Sequence, residues 1–453
     1  MSEPLRVAVI GSGPAAFYEA GHLLDADLPV EVDMVERLPT PWGLVRLGVA
    51  PDHPNIKAVS RAFEKIAAKP GFRFLGNVEV GRDVTHDELM RIYDAVVYAV
   101  GAQTDRRLGI PGEDLSGSWA ATELVAWYNG HPDFQELEFD LSGERAVVIG
   151  NGNVALDVAR MLALTQEELA PTDTTDPAIE AIVGSGIREL LVLGRRGPVQ
   201  ASWTTPELQE MGELAGADIG IDPAELELDP ASEAELEKAT PIVRRNMEVL
   251  RELASREAAG KPRVVRFRFR VSPVAILGDE RVEAIELVRN RLEADESGRV
   301  RAVPTEEREV VPCGIVFRSV GYHGVPLPGT PFDEASGTMP NLGGRVLDSA
   351  GAPIPGLYCA GWIKRGPTGV IGTNKKDATE TADLLLEDAR AGLLSHESAA
   401  GTIDELLAER GVAAVTYEGW EAIDAVEKNR GAEQGRPRIK LASWAELLEA
   451  GRG

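Results

Sequence analysis

The sequence predicts an α/β protein built from two Rossmann-like dinucleotide-binding domains, one of them discontinuous with the other inserted in it. Three observations carry that prediction. In mid-chain, Arg145–Arg160 reads RAVVIGNGNVALDVAR. It is a short β-branched run, then Gly150-x-Gly152-x-x-Ala155, then Val154, Leu156, Val158, Ala159 and Leu162 at helical spacing. A second strand–glycine–helix unit opens the chain, with Leu5–Ile10, then Gly11-Ser12-Gly13-Pro14-Ala15-Ala16, then Ala16–Leu24. Two apolar runs of similar pattern, Asp94–Ala102 and Ile315–Tyr322, fall where the chain would leave the first domain and return to it.

Each residue of such a turn has a physical task. Gly150 permits the tight bend, Gly152 lets the backbone approach a pyrophosphate, and Ala155 lets helix and strand pack closely. The helix N-terminus then offers free N–H groups to phosphate. The residues at the end of the next strand distinguish the two turns. The strand Val30–Glu36 ends in Glu36, where a carboxylate accepts hydrogen bonds from an adenosine ribose, which suits FAD or NAD. The run Ile187–Leu193 ends in Gly194-Arg195-Arg196-Gly197. Two guanidinium groups there suit the 2′-phosphate of NADP, held by paired charge-assisted hydrogen bonds. The spacing exceeds the usual ~20 residues after the glycines because Leu164–Gly186 is an insertion rich in Thr, Asp and Pro. An acid after one turn and two arginines after the other point to a flavoprotein fed by NADPH.

The remaining elements are taken in order. Arg37–Pro54 is a structured loop, Ile56–Ala68 an amphipathic helix, Phe72–Leu75 and Asn77–Val80 short strand candidates, and Thr85–Arg91 a helix. The NADP domain is expected over 105–324, between the two parts of the FAD domain, 1–104 and 325–453. In it, Trp119–Tyr128, Pro206–Leu214 and Ile242–Glu257 read as helices, and Arg263–Arg270 as a half-exposed strand. Ile285–Val288 and Val310-Val311 suggest antiparallel strands. The acidic stretches Gln166–Ile179 and Pro223–Lys238 read as exposed excursions. Gly356–Gly361 is a strand into a glycine turn, Ala378–Leu393 a helix, and the tail carries helices at Ile403–Arg410 and Ser443–Ala450. Trp420 is read as packing.

Composition excludes several classes. The net charge of −26 over 453 residues argues against a nucleic-acid or anionic-membrane surface. No apolar run approaches the ~18 residues of a membrane span. The first strand begins at Leu5 and leaves no room for a signal or transit peptide, so a cytoplasmic protein is expected; the sequence does not set the oligomeric state, and a monomer is favoured. The two cysteines, Cys313 and Cys359, form no CxxC and no spacing for a metal or cluster. That removes a dithiol reductase of the thioredoxin reductase kind and a larger iron–sulfur oxidoreductase with its own cysteine clusters. A diaphorase or quinone reductase, the reductase component of another iron–sulfur electron-transfer system, and a nucleotide-sensing module without turnover stay open.

Four segments together, GLVRLGVAPDHP, GNGNVALDVAR, GRRGP and GWIKRGPTGVIGTNKKDA, closely resemble the adrenodoxin reductase type of ferredoxin–NADP⁺ reductase, in the right order over nearly the whole chain. The resemblance implies FAD held by the first glycine turn (Gly11, Gly13, Ala15), by Glu36, Leu44, Val80 and Trp362, and by the Gly369-Val370-Ile371 backbone. It implies NADP held by Asn151, Gly152, Asn153, Val154, Arg195, Arg196, Glu207 and Gly369. The implied reaction is NADPH + 2 oxidised ferredoxin ⇌ NADP⁺ + 2 reduced ferredoxin + H⁺, with a 2Fe–2S or 3Fe/4Fe ferredoxin as partner. His53 and Glu210 are candidates for a proton route near the flavin. Because ferredoxins are usually acidic, docking needs a local basic patch. Arg244, Arg245 and Arg251 on the helix Ile242–Glu257 are the candidates.

Overall fold

The structure, a computed structural model, describes residues 3–369, 371–394 and 401–452. The chain forms two compact units. One takes the chain up to Thr104, Gly130–Pro132 and everything from Gly321 on; the other takes Asp105–Asn129 and Asp133–Val320.

The first unit is built on a seven-stranded sheet. Its order is Asn341–Leu342, Arg345–Leu347, Pro353–Cys359, Ala95–Tyr98, Leu5–Ile10, Val30–Val35 and Phe72–Leu75. The last five strands are parallel, and the first three form an antiparallel edge. The strand Leu5–Ile10, in the middle of the five parallel strands, is mostly apolar without alternation because both of its faces are covered: Val7, Ala8 and Val9 have no exposed surface. One face packs under Phe17, Ala20, Leu23, Phe63, Trp420 and Ile423. The other packs under Leu89, Ile92, Met339, Ile403 and Leu407.

The second unit has a six-stranded, wholly parallel sheet. The order is Ser118–Ala120, Ile315–Arg318, Arg145–Ile149, Glu189–Leu193, Arg263–Arg268 and Ala217–Ile221. A separate antiparallel sheet of Val271–Leu277, Ala284–Ala294 and Val300–Pro312 shares a core with it through Val147, Leu191, Val271, Ile285 and Val316. Among the described residues no helix is long and apolar enough to cross a membrane.

Several elements differ from the sequence reading. The helix expected over 56–68 is two, Pro54–Lys57 and Ser60–Ala67. Between them Val59, Arg61 and Ala62 donate to carbonyls three residues back, which breaks the α ladder. Residues 77–80 are no strand. Asn77 and Val78 donate instead to the Leu38 and Glu36 carbonyls, with Asn77 at φ +59°. The two acidic excursions fold into the short helices Gln166–Leu169, Asp176–Val183 and Pro230–Glu237 and the 3₁₀ turn Pro223–Leu226. Thr165 and Asp229 cap two of them with their side chains, and Leu169, Ala178, Ile182 and Thr174 are fully buried. The tail holds a third helix, Tyr417–Ala432.

Candidate functional site: two dinucleotide crevices

In the first unit the chain turns at Gly11, at φ +98°. A Cβ there would lie 2.7 Å from the Ala99 carbonyl oxygen, so only glycine fits. Helix Pro14–Leu24 begins beyond it with Gly13 at its N-cap and no capping side chain, which leaves N–H groups for an anion. At the end of the neighbouring strand, Glu36 accepts from Ser12 Oγ (2.7 Å) and from the Leu38 N–H (2.9 Å). Burial raises its pKa, and these donors oppose the shift.

Two further segments close on this turn. The Trp42 N–H donates to the Ser12 carbonyl (2.9 Å), and a Cβ on Gly43 would lie 3.0 Å from Gly13 Cα, so Leu44 comes directly beside the turn. Gly361, at φ +75°, leaves room for only 2.7 Å between a Cβ of its own and Ala15 Cβ, which starts Trp362 beside the same turn. Val80 helps line a cavity of about 350 Å³ together with Gly81, Val100, Gly101, Leu327 and Pro328. Gly369 stands at φ +83° and Ile371 opens the helix Ile371–Arg390; Val370 lies outside the described residues.

The crevice is polar-hungry. The indole N–H groups of Trp42 and Trp362 are buried with no hydrogen-bond partner among the described residues. Arg365 spends Nη2 on the Thr368 carbonyl and Asn374 Oδ1 (both 3.0 Å) and sets Nη1 against the Asp377 carboxylate (3.8 Å), while its buried Nε hydrogen-bonds to nothing among the described residues. A buried donor left unmade costs on the order of 1–3 kcal/mol. Three such side chains around one glycine turn fit a large polar ligand with a phosphate-bearing middle.

The second unit repeats the plan with different chemistry. Gly150 stands at φ +145°, and a Cβ there would overlap the Ser319 carbonyl oxygen. Gly152 caps helix Asn153–Ala163, again without a capping side chain. Ala155 is fully buried against the sheet, as close helix–strand packing needs. Asn151 and Asn153 hold the facing loop: the Asn151 carbonyl accepts from the Ser202 N–H (2.9 Å), and Asn153 Oδ1 from the Thr204 N–H (2.9 Å). Asn151 Oδ1 is buried and unpaired among the described residues. Val154 is half-buried in the first turn.

Arg195 and Arg196 sit just past the strand Glu189–Leu193. Arg195 is exposed and its backbone carbonyl is fixed by Asn290 Nδ2 (2.8 Å). Burial and then the Arg195 charge lower the pKa of Arg196, with Arg299 adding to the repulsion against Glu235. Two like charges this close call for an anion. Glu207 does not stand alone: it faces the buried Arg160 (3.3 Å), which also meets Asp157 (2.9 Å) and Glu210 (3.7 Å). His53, 8% exposed at the start of helix Pro54–Lys57, belongs to the first unit, and Glu210, on helix Thr205–Met211, to the second. Arg244, Arg245 and Arg251 all lie on helix Pro241–Ser255, with Arg244, Arg245 and Arg251 exposed. Arg244 donates to the Glu237 carbonyl, and Arg245 pairs with Glu248.

Ser12, Trp42, Arg365, Ser202 and Arg299 were not singled out by sequence. Trp42 and Arg365 directly adjoin the quoted segments or lie in them, yet only the fold shows their unpaired donors. The cysteines are free and buried; burial pushes the Cys313 thiol up to about 12 and raises that of Cys359 as well, which leaves no thiolate for disulfide chemistry.

Two uncapped glycine–helix turns on two parallel sheets, one followed by an acid and one by an arginine pair, define a two-dinucleotide-fold oxidoreductase. Comparison with known proteins narrows this. The family model for pyridine nucleotide-disulphide oxidoreductases matches residues 5–182. NADPH-ferredoxin reductase FprA of Mycobacterium tuberculosis is 53% identical, over 99% of this chain and 100% of that protein. The mitochondrial NADPH:adrenodoxin oxidoreductase of Arabidopsis thaliana is 43% identical, over 99% and 96%. The solved structure of M. tuberculosis FprA in complex with NADPH superposes with a TM-score of 0.93 at 52% identity, covering 100% of both chains. The chain belongs to the ferredoxin–NADP reductase family of the adrenodoxin reductase type.

Proposed function

We propose that the protein is an FAD-dependent ferredoxin–NADP⁺ reductase that takes hydride from NADPH and hands single electrons to a ferredoxin-type iron–sulfur protein. The observation that carries this reading is the opposed chemistry of the two turns, Glu36 beside the first and Arg195 and Arg196 beside the second. The relatives named for NADPH, ferredoxin and adrenodoxin support it.

In this reading Gly11, Gly13 and Ala15 seat the FAD pyrophosphate, Glu36 takes the ribose hydroxyls, and Val80 bounds the adenine end. Leu44, Trp362 and the backbone of Gly369 and Ile371 (with Val370 between them) take the ring system. Bound FAD supplies a two-electron acceptor at N5 that can release its electrons one at a time. Asn151, Gly152, Asn153 and Val154 seat the NADPH pyrophosphate, Arg195 and Arg196 its 2′-phosphate, and Glu207 and Gly369 the nicotinamide half. The indole donors of Trp42 and Trp362 and the unspent Nε of Arg365 supply fixed hydrogen-bond donors at low reorganisation cost. His53 and Glu210 carry the proton released per turnover. Arg244, Arg245 and Arg251 dock the acidic acceptor, which is soluble and either 2Fe–2S or 3Fe/4Fe, to a cytoplasmic, monomeric reductase.

The purified protein is expected to be yellow, with one FAD per chain, and to reduce cytochrome c from NADPH only when ferredoxin is added. Ferredoxin-independent reduction of quinones at the same rate would favour a diaphorase. A colourless protein that binds NADPH without turnover would reject the reading.

A further inference from the structure

We propose that Glu427, on the tail helix Tyr417–Ala432, is a positioning residue that sets the flavin-facing segment 42–47, which includes the short helix Leu44–Leu47. The inference rests on the FAD reading above and extends it to the tail.

This segment has two sides. Its inner side lies on the dinucleotide turn, through the Trp42 N–H on the Ser12 carbonyl and Gly43 against Gly13. Its outer side is gripped by the tail. Arg46, 4% exposed, forks onto the fully buried Glu427 through Nη1 (2.8 Å) and Nη2 (2.5 Å). The Arg46 guanidinium also lies 5.1 Å over the Trp420 ring, and Trp42 meets that ring edge-on at 4.9 Å. Glu427 accepts further from the Leu441 N–H (2.9 Å) and Arg438 Nη1 (3.2 Å), and Lys440 Nζ donates to the Arg46 carbonyl (3.1 Å). Leu44 is thus strung between two clamped residues, Trp42 and Arg46.

Net stability alone is a poor account of such a pair. A buried ion pair adds little over apolar side chains of the same size, because desolvation offsets the attraction. What it does add is direction: a bidentate fork fixes both the plane and the position of the guanidinium. There is also something to hold in place. Trp42 stands at φ +84°, a region disfavoured for an L-residue with a bulky side chain, and the turn keeps that shape only if its surroundings impose it. The tail contacts Trp42 and Arg46, one at each end of the segment, and both contacts lead to the face carrying Trp420 and Glu427.

The test is Glu427→Gln, read by reconstituting apoprotein with FAD and by visible circular dichroism of the bound flavin at saturation. The charge-assisted fork is weakened while shape is kept, so FAD affinity should fall roughly tenfold or more and the flavin dichroism should change. The Michaelis constant for NADPH should stay within about twofold. Wild-type FAD affinity together with wild-type dichroism overturns the proposal, even if the melting temperature drops. Should Glu427→Gln fail to fold, Trp420→Phe decides: a smaller loss of FAD affinity with altered dichroism supports the clamp, and an unchanged flavin overturns it. A wild-type protein that takes up no FAD would defeat the underlying FAD reading instead.

Discussion

At the scale of single residues, Arg195 and Arg196 set nucleotide choice in the proposed reading. Neither guanidinium is ion-paired with a carboxylate among the described residues, and the Arg195 charge disfavours that of Arg196. A 2′-phosphate relieves that repulsion, and a plain ribose hydroxyl does not. Losing a charge-assisted contact costs about 1.5–3 kcal/mol, or roughly 10- to 150-fold in binding. The double variant Arg195→Ala/Arg196→Ala should raise the Michaelis constant for NADPH by that order and leave NADH use almost unchanged. Equal losses with both nucleotides would reject the assignment. This pair was legible in the sequence, since it sits at the end of a strand after a glycine fingerprint. Arg299, which reaches the same charge field from a hairpin about a hundred residues on, was not.

Glu19 is a second residue-scale case. It is fully buried on helix Pro14–Leu24, with neither carboxylate oxygen hydrogen-bonded among the described residues. Burial raises its pKa well above the ordinary carboxylate value. Lys364 opposes the shift, while Asp377 and Asp383 add to it. A folded-state pKa above the unfolded one means that the native protein holds the proton more tightly. The resulting stability is full below the unfolded pKa and is lost as pH rises through the folded one. For one proton the slope approaches about 1.4 kcal/mol per pH unit. Denaturant titrations from pH 5 upward should therefore show wild-type stability falling relative to Glu19→Gln. Parallel curves for the two proteins would show that Glu19 is not held protonated.

At the scale of elements, what could be read depended on whether burial left an apolar trace. The strands Leu5–Ile10, Ala95–Tyr98, Arg145–Ile149 and Glu189–Leu193 did so, as nearly unbroken apolar runs, whereas Ser118–Ala120 and Ala217–Ile221, short and with polar or glycine positions, did not. Helix Tyr417–Ala432 did not. The residues it buries are Gly419, Trp420, Ile423, Glu427 and Gly431; two glycines and a glutamate make no hydrophobic stripe, although the spacing is helical. The insertion between residues 164 and 186 hid its structure in the same way, by burying Thr172, Asp173, Thr174 and Thr175. Helix Pro241–Ser255 was legible, and its exposed side carries Ile242, 57% exposed, beside Arg244 and Arg245. An apolar residue rimmed by cations suits an acidic protein partner. Charge reversal, Arg244→Glu/Arg245→Glu, should slow ferredoxin-dependent cytochrome c reduction severalfold at low salt. The effect should shrink as the Debye length falls to about 8 Å near physiological ionic strength. Ferricyanide reduction should be unaffected, and unchanged ferredoxin kinetics at low salt would move the docking face elsewhere.

At the scale of the whole molecule, one chain carries two copies of the same topological device, tuned oppositely. A parallel sheet with right-handed crossovers and a glycine turn at the end of its central strand makes a phosphate seat. In the proposed reading, the residue after the next strand then decides which nucleotide is taken. That logic was visible in the sequence because both the turn and the deciding residue are local. The tail's hold on segment 42–47 was not visible, because Arg46 and Glu427 are 381 positions apart. The net charge of −26 would oppose an acidic partner at long range, so the proposed docking through Arg244, Arg245 and Arg251 should respond strongly to salt. The most direct test of the central claim is anaerobic stopped-flow mixing of the purified protein with NADPH and, separately, with NADH. The account predicts rapid bleaching of the flavin absorbance by NADPH, much slower bleaching by NADH, and recovery of the colour when oxidised ferredoxin is added at about two per flavin, since each flavin passes on its electrons singly. Bleaching at equal rates by the two nucleotides, or a reduced flavin that ferredoxin does not reoxidise, would contradict it.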